Sequence, residues 1–458
     1  MAVKVGLISL GCPKNTVDSE TMLGQLRAAG MEVCADEEQA DVLIVNTCGF
    51  KEDAAQESVD ALLGTTEWKK RAGGRAVIAA GCLVQRYGAD LAKELPGVDA
   101  FIGVGQYEGL ALQIQSILTA APPQPLLQIG PPRPIPHRQP PRVRSTPPWT
   151  AYVRISDGCD YRCAFCTIPS IRGDHASRPV EAIVDEVRAL AEEGTVEIVL
   201  VAQDSMRYGW DLYGTLALPR LLRELANVDG IRWIRIMYAF PATVTDAVID
   251  VIASEPKVCK YLDIPLQHAD RGVLEAMNRP GDGDRYLRII ERFRKACPQI
   301  AIRSTFIVGH PGETPEAFHA LKGFLASAEL DRVGVFSFCR EDGTPAATLP
   351  GQVPHRVAEQ RREELMKWQA GISRRRNRAL VGSALDVLVE ERTANGAYSG
   401  RTYRDAPEID GTVAFTGGDS APGSIVSVQI TAAGVHDLSG VAEGADPGKA
   451  AFRSDSQS

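Results

Sequence analysis

The 458-residue sequence has no apolar run approaching the roughly 18 residues that a membrane-spanning helix needs. It lacks a basic surplus as well. Its 50 Lys and Arg stand against 58 Asp and Glu, a net charge of −8, so the surface as a whole is not a nucleic-acid binder by bulk electrostatics. Ten cysteines in a chain of this length are too few for a disulfide scaffold. The N-terminus MAVKVGLISLGC carries one lysine and a short apolar stretch. Ser9–Cys12 bears only a faint likeness to a lipoprotein cleavage site, and the stretch reads better as a first β-strand than as an export signal. A cytoplasmic protein is therefore expected, where thiols stay reduced and clustered cysteines suggest metal before disulfide.

What is present is an ordinary globular composition, 44% hydrophobic and 24% charged, which excludes disorder over the whole chain. The length predicts two to four domains. Residues 1–120 alternate strand signals (Val3–Leu10, Asp41–Asn46, Arg75–Ala80) with helical stretches such as Val17–Ala29 and Glu52–Leu63. Continuous apolar strand runs between helices predict a small open parallel α/β domain. Residues 121–148 hold eleven prolines, four arginines and no acidic residue, so an extended strap between domains is expected, part of which can lie along a neighbour.

Residues 149–354 carry six strand candidates, Ala151–Ser156, Glu197–Gln203, Trp233–Ala239, Tyr261–Gln267, Ala301–Gly309 and Arg332–Cys339, with helical patterns between them. Six successive βα units predict an incomplete parallel barrel. A charged helix is expected over 355–380, whose basic end, Arg374–Arg376 with Arg378, reads as a solvated terminus. Short alternating runs over 381–440 predict a small antiparallel β-barrel, and the polar tail 441–458 reads as disordered.

Two sets of cysteines carry the chemistry. Cys159, Cys163 and Cys166 follow the first barrel strand at Cys-x3-Cys-x2-Cys spacing, on the rim where barrel active sites form. Three close thiolates can hold three irons of a [4Fe–4S] cubane and leave the fourth open. Zinc would need a fourth ligand, and this spacing is unusual for it, although His175 is near. Cys12, Cys48 and Cys82 look scattered, yet each ends a predicted strand one βα unit from the last. In an open parallel sheet those ends share one edge, so three more thiolates can converge on a second cluster. Cys34, Cys259, Cys297 and Cys339 show no partner spacing and read as structural thiols.

The string from Gly158 to Gly173 resembles the radical S-adenosylmethionine superfamily through Cys159, Cys163, Phe165 and Cys166. That resemblance implies that the open iron chelates S-adenosylmethionine, and that the reduced cluster cleaves it to methionine and a 5′-deoxyadenosyl radical. The whole architecture, with its three-cysteine N-terminal domain and a terminal TRAM-like barrel, resembles the methylthiotransferases. Within them it is similar to the branch that modifies a ribosomal protein, on Ser9–Glu20, Gly158–Gly173, Leu262–Asp270, Met277–Gly281, Phe306–Thr314 and Asp331–Ala346. The resemblance implies two [4Fe–4S] clusters and the replacement of a C–H bond by C–S–CH3 on the β-carbon of an aspartate in small-subunit ribosomal protein twelve. It also implies an electron donor protein and a sulfur donor.

From Arg378 onward six Lys/Arg stand against eleven Asp/Glu. An acidic terminal barrel suits a basic ribosomal protein and repels tRNA. The runner-up is a tRNA-adenosine methylthiotransferase. A non-catalytic iron–sulfur electron-transfer protein is the alternative of another class.

By the same resemblance Gly309, Pro311 and Gly312 contact the cofactor, with glycines permitting close backbone approach. Gln203 and Gln267 end strands on the same rim, and Arg303 is expected to pair with the cofactor carboxylate. For His268 and His310 a hydrogen-bonded structural role is expected ahead of a proton relay. For Trp210 and Trp233, core packing is expected ahead of a pocket. No residue is named as the proton acceptor.

Overall fold

The apolar runs at the N-terminus assemble as a parallel sheet in the computed structural model, which describes residues 2–120, 123–132 and 141–443. Strands β1 (Lys4–Ser9), β2 (Glu32–Val33), β3 (Val42–Thr47), β4 (Ala76–Gly81), β5 (Ala100–Ile102) and β6 (Leu126–Gln128) lie in the order β2-β1-β3-β4-β5-β6. Every residue of β3 and β4 is buried, as expected of central strands covered on both faces. Helices α1 (Pro13–Ala28), α2 (Glu52–Lys70), α3 (Cys82–Glu94) and α4 (Leu110–Thr119) follow the first, third, fourth and fifth strands.

Strand β6 lies within the stretch expected to be a strap between domains and instead joins the first sheet. Leu126–Gln128 follows Pro125 as a proline-free run, so its N–H groups are free to pair parallel with β5. The rest of the described stretch is a strap lying against its neighbours. Arg142 pairs with Glu20 of α1 at 2.6 Å and with Glu186 at 2.5 Å, and donates to Tyr152 O. Positions 133–140 lie outside the described residues.

The central domain begins at β7 (Thr150–Arg154), followed by a small hairpin, β8 (Ser156–Asp157) with β9 (Ala176–Ser177). The other barrel strands are β10 (Glu197–Val201), β11 (Trp233–Ile236), β12 (Tyr261–Asp263), β13 (Ala301–Val308) and β14 (Arg332–Ser337). They form two three-stranded parallel halves, β11-β10-β7 and β12-β13-β14. The Ile234–Val258 bridge and the Ala239 N–H bond to Asp263 O join the halves. Amphipathic helices cover the outside; Val180–Glu192 buries Val180, Ile183, Val184, Val187 and Leu190 at helical spacing.

Inside, Tyr152, Val199, Val201, Trp233, Met237 and Tyr261 pack with Val17 from α1 and with Leu388 and Ala406 from the terminal barrel. Both flanking domains thus contribute apolar side chains to the cluster inside the partial barrel. Trp233 is core, as expected, whereas Trp210 is half exposed on the surface.

The long helix runs His355–Arg378. Strands β15 (Ala384–Arg392), β16 (Tyr398–Thr402), β17 (Val413–Thr416), β18 (Ile425–Ala433) and β19 (Leu438–Ala442) close a barrel in the order β15-β16-β17-β19-β18. Its pairings are antiparallel except for the parallel β17–β19 pair. Strand β19 carries the barrel to Ala442, two residues into the segment read as a tail, and residues 444–458 lie outside the described residues.

This barrel is fixed to the strand starts of the central domain by buried ion pairs. Glu197 meets Arg401 at 2.7 Å, and Arg332 meets Asp405 at 2.7 Å; Glu197 also pairs with Arg235 of the neighbouring strand β11 at 3.0 Å.

Candidate functional site

Cys12 precedes the first turn of α1, Cys48 follows β3, and Cys82 opens α3. All three therefore stand at the carboxyl edge of one parallel sheet, where an α/β domain gathers its ligands. Gly11 adopts φ +94°, and a Cβ there would lie 3.0 Å from Cys48 Sγ, so glycine is what lets the Cys12 turn approach Cys48. Burial pushes the Cys82 thiol up to about 12; Arg172 opposes this, and the charges of Cys12 and Cys48 add to it. The three thiols thus feel one another. Metal coordination removes the thiol proton that burial protects.

In the second set, Cys166 N–H bonds Cys163 O at 3.0 Å, and Ile168 N–H points at Cys166 Sγ at 3.5 Å. Burial raises Cys159 to about 11 and Cys166 to about 12, and the neighbouring cysteine thiolates reinforce both shifts. Among the described residues no three His, Cys, Asp or Glu side chains stand close enough to share a single metal ion. A cubane asks for less, since each iron takes one thiolate.

The two sets are joined through α1 and the short helix α5 (Ile168–Arg172) that follows the second set. The Arg172 guanidinium is buried. It donates to Asp157 at 2.9 Å, Asp18 at 2.9 Å, Asn15 Oδ1 at 2.8 Å and Cys82 Sγ at 3.6 Å. Arg154 reaches Asp18 at 2.5 Å and Asp157 at 3.2 Å. Burial alone would raise Asp157, but Arg172 and Arg154 overcome it and hold its carboxyl low. Asp157 Oδ1 then accepts from Gln203 Nε2 at 2.7 Å. A continuous polar chain therefore runs from the Cys82 thiol to the barrel rim.

Of the residues expected around the cofactor, Gln203 lies in this chain, with its Oε1 buried and unpartnered. Phe165 stands edge-on to the His310 ring at 6.5 Å. Burial lowers His310 to about 4, and its Nε2 is likewise unpartnered. Gln267 holds φ +72°, its backbone bonded to Thr305 O and Ile307 N across the rim. With Ser156 Oγ and Thr167 Oγ1 also orphaned, the rim offers several unsatisfied polar atoms, as fits a polar cofactor such as S-adenosylmethionine.

Arg303 differs from expectation. Its guanidinium is engaged by Asp263 at 3.0 Å and by Asp410 of the terminal barrel at 3.4 Å, so its charge serves the barrel interior. Gly309 answers mainly to packing. At φ +78°, a Cβ there would collide with Ala358 of the long helix. Gly312 has open space around it and donates to Gly351 O at 2.9 Å, and Pro311 O accepts from His310. His268 is a buried partner of Glu313, which Arg361 also pairs.

Sequence reasoning missed Lys14, Asn15, Asp18, Arg172 and Arg279. Arg279 donates to Cys163 Sγ at 3.6 Å and to Pro265 O at 2.8 Å. All five sit inside strings that the sequence analysis singled out for their wording, and that was the available signal.

Three family models match successive parts of the chain. Residues 4–103 match the family described as Uncharacterized protein family UPF0004, residues 153–325 the Radical SAM superfamily, and residues 381–442 the TRAM domain. The chain is 49% identical to the ribosomal protein uS12 methylthiotransferase RimO of Symbiobacterium thermophilum, covering 96% of this chain and 91% of that protein. It is 45% identical to the protein of the same name from Geobacter sulfurreducens, covering 95% and 98%. In fold it is similar to TsrM from Kitasatospora setae, a radical S-adenosylmethionine methyltransferase with cobalamin and a [4Fe-4S] cluster bound. That match has a TM-score of 0.57 at 14% identity and covers 87% of this chain and 77% of that one.

Proposed function

This chain belongs to the RimO family of ribosomal protein uS12 methylthiotransferases, and from that premise we propose how its residues share the reaction. Cys159, Cys163 and Cys166 hold the cluster that takes S-adenosylmethionine, and Cys12, Cys48 and Cys82 hold the auxiliary cluster. When bound, these groups supply the one-electron chemistry, the sulfur and the methyl group. The substrate is an aspartate of small-subunit ribosomal protein twelve, whose β-carbon receives the methylthio group.

The chain's own contribution is placement and shielding. Gln203, Gln267 and the 309–312 loop bind and orient S-adenosylmethionine at the barrel mouth, with Phe165 against His310 closing one side. Helix α1 presents the Cys12 edge of the first domain to that mouth. Val17 of that helix joins the apolar cluster inside the barrel. The acidic terminal barrel favours a basic protein partner over tRNA. An electron donor protein and a sulfur donor complete the reaction, and a cytoplasmic setting suits the reduced thiols. No helix among the described residues is long and apolar enough to cross a membrane.

The observation that carries this reading is the Arg172 bridge, which ties the Cys82 edge to the loop that bears the other three cysteines. The test is an anaerobic reaction with reductant, sulfide and S-adenosylmethionine, offered the ribosomal protein in one tube and unmodified tRNA in another. A methylthio mass gain on an aspartate of the protein is expected. A Cys12→Ala variant should keep about four of roughly eight irons and still cleave the cofactor. A gain on tRNA adenosine, or full iron in Cys12→Ala, would overturn the assignment.

A further inference from the structure

Buried cations in this fold are paired almost without exception. Arg154, Arg172, Arg178, Arg235, Arg332, Arg401 and Arg404 each meet a carboxylate within 3.2 Å. Among the described buried Lys and Arg residues, Lys14 and Arg279 are the two without a carboxylate ion pair. A buried charge left without a direct counter-charge is costly, so both positions call for an acceptor. Arg279 has its answer in the Cys163 sulfur, 3.6 Å away. Burial works against the Lys14 charge, and Cys12, Asp157 and Asp263 support it, none of them in a direct ion pair among the described residues. Its Nζ donates to Ala202 O at 3.1 Å and stands 3.4 Å over the Tyr238 ring. An ammonium has three donors, so capacity remains for an acceptor.

The place is informative. Lys14 is two residues from Cys12, and Ala202 and Tyr238 follow the second and third barrel strands. The ammonium therefore lies between the sheet edge that carries the auxiliary cysteines and the mouth of the radical barrel. A substrate carbon that loses hydrogen at one centre and gains sulfur from the other must pass through this space. Tyr238 is also strained. It holds φ +62°, with its N–H fixed by Asp263 at 3.0 Å, a left-handed conformation that aromatic residues rarely adopt. That backbone puts the ring under the ammonium.

We propose that Lys14 Nζ receives the side-chain carboxylate of the substrate aspartate and so selects an acidic residue over its neutral isostere. Resting on the function proposed above, this adds the recognition element for the substrate side chain. Held by the carboxylate, the β-carbon one bond away is fixed between the two cysteine sets, while the Tyr238 ring and Ala202 carbonyl hold the ammonium in position.

The test is equilibrium binding of labelled peptides to the reconstituted holoenzyme, by fluorescence anisotropy. One peptide spans the aspartate loop of ribosomal protein uS12, the second carries Asn in place of that aspartate, and the third is scrambled. Wild type should favour the Asp peptide over the Asn peptide by about tenfold or more. Lys14→Met should bind the two equally, and Lys14→Arg should recover part of the preference. Each ratio is internal to one protein, so partial loss of folded material cancels. Should Lys14→Met bind neither peptide, Lys14→Arg decides: preference for Asp supports the assignment, and equal binding overturns it. A wild-type preference retained in Lys14→Met also overturns it, with the proposed function left standing. Wild type binding no peptide better than the scrambled one overturns the proposed function itself, and this assignment with it.

Discussion

The Arg172 guanidinium lies 3.6 Å from Cys82 Sγ, although the two residues are ninety positions apart and belong to different domains. The same side chain satisfies Asp18, Asn15 and Asp157. Arg172 is thus both a donor to the Cys82 sulfur and the clasp between the two domains.

Replacing it separates these roles from simple packing. Arg172→Gln leaves Asp18 and Asp157 with Arg154 alone, and breaking a buried ionic network costs on the order of 3–5 kcal/mol. Thermal unfolding should show a clear loss. A charge-assisted donor to a cluster sulfur also raises the cluster's reduction potential, so the auxiliary signal should move to lower potential in a redox titration. An unchanged potential with lowered thermal stability would confine Arg172 to the domain clasp.

Acid should loosen the terminal barrel. Burial would raise the Glu197 carboxyl, but Arg401 and Arg235 overcome it and hold it at about 2. The folded value lies below the ordinary one of about 4.3. The associated stability is therefore fully present above that ordinary value and lost as pH falls through about 2. The shift corresponds to about 3 kcal/mol. Limited proteolysis over this window should release the 381–442 region, and Glu197→Gln should already be loosened at neutral pH.

Gly309 distinguishes packing from ligand contact. A methyl group there collides with Ala358 at a backbone angle of φ +78°, and overpacking of this kind costs about 1–3 kcal/mol. Gly309→Ala should lower the melting temperature of the protein before any cofactor is added. A variant of unchanged stability with weakened S-adenosylmethionine binding would return the residue to the cofactor loop.

What could be read beforehand follows the range of each signal. The placement of the cysteines in the fold was legible because their spacing within one loop, or their recurrence at strand ends, is a property of short stretches. The six barrel strands were legible for the same reason. Arg172, Asp18 and Lys14 were not, because their meaning is a contact with another domain that no local pattern encodes. The partners of Arg303 were hidden in the same way. Its position on the strand suggested the mouth, while Asp410, more than a hundred residues later, claims its charge from below. The proline-rich strap failed in a different manner, since its composition concealed the three proline-free positions that make β6.

The strap also carries a prediction. Arg142 has a side chain only 5% exposed and bridges Glu20 of α1 to Glu186 on the barrel's outer helix. Glu20 also accepts from Ser145 N–H at 2.8 Å, and Glu186 is shared with Arg178. The strap therefore holds the first domain against the second through carboxylates that water does not reach. Arg142→Met removes the cation and leaves Glu20 without its counter-charge, at a cost on the order of 3–5 kcal/mol. Glu20→Gln in that background removes the stranded charge, so the double variant should recover part of the loss. The expected result is a non-additive cycle in protease susceptibility of the 141–148 segment. If the two substitutions simply add, the strap is held by its backbone bonds, among them Val143 N–H to Glu20 O at 3.0 Å, and the ion pairs contribute little to docking.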